Sequence, residues 1–289
     1  LFKEKGHRVL GIDLRHEPPD NVSINEIIRI PAFLDINSAK KIVRRHGKAS
    51  LITINNLLAN IDNLEEFIFS INELLDSDGV LVIESSYLLD MIDNLVFDFI
   101  YHEHLSYFSI LPLVKFFNKF GIKLIHLDKL ETKGGSLRYY WARNLSKWES
   151  SLDVKKLTLI EEEARINLNT FVNFNQNITI IRKQLLKFLE KHKGSKIFGY
   201  GASATSTTLI SHFELQNYVS CLVDENINKI STYSPGFQIP VISIDTLKIE
   251  KPDVIIILAW RFKDQILKKL SFFQGVVVIP LPIFKEIQL

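Results

Sequence analysis

Cysteine is nearly absent: Cys221 is the only one in 289 residues. A single thiol excludes an internal disulfide and a zinc site built on cysteines. It suits a reducing compartment, so a cytoplasmic location is expected. An excess of one charge sign is also lacking. With a net charge of +2 and 24% charged residues, the chain offers no basic face, and no nucleic-acid partner is expected. Long hydrophobic runs are missing as well. The longest, VIIILAW (254–260) and GVVVIPLP (275–282), fall far short of a membrane span, so no membrane partner is expected, and they suit strands of a buried parallel sheet. The opening LFKEKGHRVL has neither the charged leader nor the apolar core of a signal peptide. It reads as the end of a helix capped by Gly6 and starts at Leu1, not Met, from which further sequence upstream is expected.

Strand-like and helix-like stretches alternate. HRVLGIDL (7–14), IIRIPAF (27–33), ASLITINN (49–56) and GVLVIESS (79–86) read as strands, with helical patterns in SAKKIVRRHG and LEEFIFSINELLD. Beyond a helix at LPLVKFFNKFG, IKLIHLDKLE and SLRYYWARN are joined by the short turn TKGG, which predicts an antiparallel hairpin. Residues 151–193 hold no glycine or proline and read as one long helical region, acidic at its start and basic at its end. KIFGYGA, YVSCLVDEN, PDVIIILAW and GVVVIPLP then repeat the α/β pattern. The expected fold is α/β: two tandem Rossmann-like doubly wound sheets, the first ending in the hairpin. The expected domains are 1–150, a helical connector over 151–193, and 194–289.

Two clusters carry chemistry. GYGASA (199–204) fits G-x-G-x-x-A after a strand, and Asp224 closes the next strand, where a ribose-binding acid belongs in a dinucleotide site. The same glycines could serve packing alone. The second cluster is DFIYHEHLSYFS (98–109), with two histidines and a glutamate among aromatics. In an extended or turn conformation His102 and His104 would point one way and Glu103 the other. A metal site would need further ligands that no neighbouring motif supplies, and the group could instead be satisfied polar residues in a packed loop. As a catalytic cluster, one histidine would take a proton from substrate while Tyr101 and Glu103 orient it. Asp13 ends its strand and could accept from both hydroxyls of a ribose. Arg138, in KGGSLRYY, reads first as an exposed strand arginine after a hairpin turn.

Taken together, KEKGHRVLGID, NNLLANID, FDFIYHEHLSYFS, GGSLR, GYGASATSTTLI, SPGFQIPV and PDVIIILAWRFKDQI resemble the S-adenosylmethionine-dependent C-methyltransferases that act on nucleotide-linked keto sugars. The resemblance runs through nearly the whole chain. It implies a methyltransferase domain over 1–150 and a C-terminal Rossmann-like domain over 194–289, with substrate lying between them. It implies His104 as the base with Glu103 and Tyr101 beside it, and Asp13, Asn55 and Asn56 as cofactor contacts. Asn60, Arg138, Gly199, Tyr200, Gly201, Ala202, Ser203, Asp224 and Trp260 would contact the nucleotide sugar. The cofactor implied is S-adenosylmethionine, with zinc only in an N-terminal module that this chain does not contain. A monomer or weak homo-oligomer is expected. Asn60 stands where the family usually has histidine, Lys133 where a histidine commonly precedes GGS, and the glycine-rich first strand and loop are absent. The sheet is therefore expected to lack a middle strand. The alternatives are an NAD-binding oxidoreductase resting on G-x-G-x-x-A with Asp224, and a sugar-binding relative without turnover.

Overall fold

A computed structural model describes residues 2–14 and 27–289. The chain divides into two compact units. One comprises Leu1–Ser85, Ile110–Asp128 and Arg138–Thr158; the other comprises Ser86–Ser109, Lys129–Leu137 and Leu159–Leu289.

The first unit opens with two short parallel strands, β1 (Leu10–Ile12) and β2 (Ile28–Ile30), with Leu10 opposite Ile28. Helix α1 (Ile36–His46) follows, started by Asp35, whose carboxylate accepts the Ser38 amide at 2.6 Å. Next come β3 (Ala49–Asn55), α2 (Leu64–Leu74) and β4 (Leu75–Ser86), and β3 and β4 pair in parallel. The chain passes through α3 (Leu88–Asp93) of the second unit before returning for α4 (Ile110–Asn118) and β5 (Ile122–Leu130). Strand β6 (Ser136–Arg143) completes a four-stranded sheet ordered β3-β4-β6-β5. The link between β5 and β6 is too short for a crossover, so the two form the expected antiparallel hairpin. Trp141 stacks on Phe117 at 4.1 Å in the core of this sheet.

β1 and β3 do not share a sheet. Each ends its own sheet, yet Leu10 and Ile12 of β1 and Ile52 of β3 pack on one cluster around Ala39, Ile42 and Leu74. Leu51 of β3 is 41% exposed, unlike the inner strand of a parallel sheet, whose apolar residues are covered on both faces.

The stretch expected as one long helix is two: α5 (Leu152–Ala164) and α6 (Leu168–Lys191). Arg165 turns left-handed at φ 46°. The Asn167 side chain then accepts the Asn169 and Thr170 amides and restarts the helix. An asparagine competing for backbone donors breaks what composition alone would continue.

The second unit is built on β7 (Ile197–Tyr200), α7 (Ala204–Phe213), β8 (Val219–Val223), β9 (Val241–Ile242), α8 (Ile244–Glu250), β10 (Val254–Ile257), α9 (Lys263–Lys269), β11 (Val276–Ile279) and β12 (Lys285–Gln288). Their order is β12-β11-β10-β7-β8-β9, parallel apart from β12. The chain leaves β7 toward β8 and returns on the other side at β10, so the strand order reverses between β7 and β10. In doubly wound sheets, ligands bind beyond the carboxyl ends of the strands at such a reversal. The four residues of β10 are fully buried, as their uninterrupted apolar run predicts. Among the described residues no helix is long and apolar enough to cross a membrane.

Candidate active site

The segment 98–109 folds into a tight turn, with the His104 amide donating to the Tyr101 carbonyl at 3.0 Å. His102 and Glu103 occupy its exposed centre, while Tyr101 and His104 flank it, half-buried. The turn therefore pairs His104 with Tyr101, ring centroids 4.5 Å apart, and leaves His102 outside. The expected alignment of the two histidines does not occur, because a turn brings together its first and fourth residues. Among the described residues no group of three or more His, Cys, Asp or Glu could hold a metal ion.

The surroundings of His104 fix its chemistry. Its Nδ1 lies 2.9 Å from the Phe99 carbonyl oxygen. A carbonyl only accepts, so Nδ1 carries the proton and donates. In the neutral ring Nε2 then holds the lone pair, 3.3 Å from the Tyr101 hydroxyl. Burial lowers the His104 pKa below its ordinary 6.5; the bond to the Phe99 carbonyl opposes this, the Lys133 charge reinforces it, and Glu103 opposes it. Burial, then Glu103, raises the Tyr101 pKa, so its phenol stays neutral and able to donate.

A second layer holds this turn in place. Asp98 is fully buried and accepts from Trp260 Nε1 at 3.1 Å and from Arg261 Nη1 at 2.8 and 2.9 Å. The Arg261 guanidinium lies 4.5 Å above the Phe99 ring, and the Phe99 ring stacks with His104 at 5.5 Å. Trp260 and Arg261 follow β10, at the carboxyl edge next to the strand reversal. Nearby, Gly135 adopts φ 122°, and a Cβ there would stand 2.3 Å from the Asp90 Cβ, so the KGGS turn needs glycine at that position. Asp98, Phe99 and Arg261 were not singled out from the sequence. The only signal for them was an acid among aromatics and an arginine beside LAW.

The GYGASA loop is occupied by its own structure. Gly201 sits at φ 115° with space for a Cβ only 2.8 Å from the Ala259 Cβ, and a Cβ on Gly199 would be 2.6 Å from Leu258. Ser203 accepts the Ser206 amide and starts α7. Asp224 accepts the Ala202 amide on one oxygen and the Asn226 amide on the other, each at 2.9 Å, with Lys229 at 3.5 Å. Burial opposes ionisation of this carboxyl, but the two amides and Lys229 outweigh it and hold its pKa low. Tyr200 is buried, its hydroxyl donating to Glu225 at 2.8 Å. Each Asp224 oxygen thus accepts one backbone amide, and a Cβ has no room at Gly199 or Gly201.

The remaining predicted residues lie in the first unit. Asp13 is exposed at the carboxyl end of β1. Asn55 is exposed at the end of β3, and Asn56 follows at φ 54° with its amide on the Glu84 carbonyl. Asn60 ends a short 3-10 turn, and its Oδ1 is buried with no hydrogen-bond partner. Arg138 on β6 donates through Nη2 to Glu84 on β4 at 2.8 Å. A separate open cavity of about 590 Å³ in the second unit, lined by Asp93, Glu163, Arg165, Asn169 and Asn173 among others, includes none of the predicted residues.

Two family models match successive parts of the chain. Residues 1–127 match a methyltransferase-domain family model. Over 289 residues the chain is 26% identical to the C-methyltransferase NovU of Streptomyces niveus, covering 98% of this chain and 69% of that protein. Solved structures give looser likenesses. A SAM-dependent methyltransferase from Anabaena variabilis shares 14% identity at a TM-score of 0.37, over 47% of this chain and 68% of its own. The 1,6-didemethyltoxoflavin-N1-methyltransferase of Burkholderia thailandensis, solved with 1,6-didemethyltoxoflavin and S-adenosylhomocysteine, shares 17% at 0.36, over 49% and 64%. Residues 131–282, more than half of the chain, match the model described as the C-methyltransferase C-terminal domain, and the chain therefore belongs to the C-methyltransferase family.

Proposed function

We propose that the chain catalyses methyl transfer from S-adenosylmethionine to a carbon next to the ketone of a nucleotide-linked keto-deoxysugar, with His104 as the base that generates the carbon nucleophile. The observation that carries this reading is the contact of His104 Nδ1 with the Phe99 carbonyl oxygen, which assigns the tautomer. With Nδ1 donating to the Phe99 carbonyl, Nε2 offers a lone pair, and a neutral imidazole suits proton abstraction near pH 7. Hydrogens beside a carbonyl are acidic only if the developing oxyanion is stabilised. A neutral Tyr101 hydroxyl at 3.3 Å from Nε2 is a donor suited to that oxygen. In the step, the C–H bond breaks, the proton passes to Nε2, and the electron pair moves into the enolate.

The residues present fit the nucleoside half of the donor: an exposed carboxylate, Asp13, ends β1, and Asn55 and Asn56 end β3. Asp13 would accept from the ribose hydroxyls. When bound, S-adenosylmethionine supplies an electrophilic methyl on a sulfonium, which a carbon nucleophile takes with release of the thioether. Asn60, whose Oδ1 has no hydrogen-bond partner, and Arg138 are among the substrate contacts of this reading.

The test is solvent deuterium exchange into a panel of nucleotide-linked keto sugars by the full chain and its His104→Ala variant. A loss on the order of 10²- to 10⁴-fold is expected; an unchanged exchange rate removes His104 as the base. Calorimetric titration should register S-adenosylhomocysteine and not NADH, and the reverse result returns the protein to the oxidoreductases.

A further inference from the structure

We propose that Asp98 and Arg261 are positioning residues for His104. They hold the Phe99 carbonyl where it accepts the Nδ1 proton, and so reserve Nε2 as the nitrogen with the lone pair. The proposal rests on the reading of His104 as the base, but its first test does not require activity.

A buried carboxylate is a poor device for stability alone. Desolvation offsets most of its attraction to a cation, and apolar substitutes of similar volume often do as well. What such a pair gives well is position. Asp98 is 0% exposed and the Arg261 side chain only 9%. Both Asp98 oxygens are engaged by Arg261, and one also by Trp260. These donors sit just beyond β10, whose residues are fully buried between β7 and β11, so they are fixed to a buried inner strand of the sheet. The backbone at residue 98 is thereby anchored, and residue 99 is the next along the chain.

Arg261 acts on residue 99 a second time. Its guanidinium lies over the Phe99 ring at 4.5 Å and over the Trp260 ring at 4.7 Å. A planar cation stacks in this way; a lysine ammonium would keep the charge without the plane. The Phe99 ring in turn lies within 14° of parallel to the imidazole, and the Phe99 carbonyl accepts from His104 Nδ1 and, at 3.3 Å, from the Tyr107 hydroxyl. The Nδ1-protonated form is the minor tautomer of an unconstrained histidine side chain, so some acceptor has to select it. Trp260 also has its ring N–H on Asp98.

The experiment is long-range proton–nitrogen correlation NMR on the full chain labelled with ¹⁵N-histidine, at a pH where the ring is neutral, with the His104 signals identified by their loss in His104→Gln. Wild-type protein should show Nδ1 protonated and Nε2 bare. Arg261→Lys keeps the charge opposite Asp98 and loses the stacked plane; Asp98→Asn keeps the shape and loses the charge. In both, the Nε2-protonated form should appear, and kcat for proton exchange should fall roughly 10- to 100-fold with KM little changed. A wild-type spectrum with Nε2 protonated overturns the proposal without any variant. So does a folded Arg261→Lys protein that keeps the wild-type tautomer and pH profile. If the tautomer shifts as expected while no keto sugar exchanges even in wild type, the positioning stands and the base assignment falls.

Discussion

Two loops of the second unit use polar side chains in opposite ways. In the loop after β7, the polar groups are consumed: Ser203 starts α7, Tyr200 is held by Glu225, and both oxygens of Asp224 accept backbone amides. In the turn that bears His104, the supporting groups are equally satisfied, with Asp98 bound to Trp260 and Arg261, but the group they support is not. His104 Nε2 meets only a hydroxyl at 3.3 Å, a contact long enough for an incoming C–H to displace. Under the proposed function, the first loop serves architecture and the second, with its neighbours fixed and a single lone pair weakly held, serves chemistry.

Gly201 lies in the loop after β7. If that loop is architecture, Gly201→Ala should unfold rather than disarm. The new Cβ would stand 2.8 Å from the Ala259 Cβ and 3.0 Å from its amide nitrogen, at φ 115°. Neither neighbour is the end of a flexible side chain, so the strand ends must part. The expected cost is about 2 to 4 kcal/mol, read as a fall of several degrees or more in melting temperature. Per folded molecule, proton exchange should stay within about twofold of wild type. A normally stable variant that has lost nucleotide affinity would make the loop a phosphate cradle and end the contrast.

Asp224 sharpens the same point with a smaller effect. Asp224→Asn keeps one acceptor and loses the charge shared with two amides and Lys229. About 1 to 2 kcal/mol of stability should be lost at pH 7. The sign with pH is set by the lowered pKa of this carboxyl. A depressed folded-state pKa stabilises above the unfolded value and is lost as pH falls through the folded one. Wild type and variant should therefore converge in acid, as followed by urea unfolding between pH 7 and pH 3. Curves that stay parallel across that range would mean that the carboxylate charge contributes nothing.

What could be read beforehand depended on how far apart the partners stand in the chain. The runs VIIILAW and GVVVIPLP gave β10 and β11 because a buried parallel strand writes itself locally as uninterrupted apolar residues. Asp13 at the end of β1 and the β5–β6 hairpin were legible for the same reason. The break between α5 and α6 was not, since Arg165 and Asn167 differ little from helical residues in propensity and only the capping geometry decides. Edge strand β12 is short and mostly exposed, and carries no apolar run. Asp98 and Arg261 are 163 residues apart, and no local spacing could join them. The GxGxxA pattern was plain in the sequence but not specific, because tight strand–loop packing and phosphate binding ask for the same glycines.

The smallest effect tests the His104 side of the comparison most finely. A base works only when unprotonated, so the rate of substrate proton exchange should fall as pH drops through the His104 pKa. Burial places that pKa below 6.5, and the acidic limb of kcat/KM should lie there too. Two neighbours of opposite sign then move it in opposite directions. Glu103 raises the His104 pKa and Lys133 lowers it, so Glu103→Gln should carry the limb further toward acid and Lys133→Gln should carry it back. Both residues are exposed, so solvent screens them, and each displacement should shrink as salt is added. Surface charges remote from the base would leave the limb in place, and a different general base would leave it indifferent to both. Opposite shifts of the two variants, in those directions, are what a half-buried imidazole between these two charges requires.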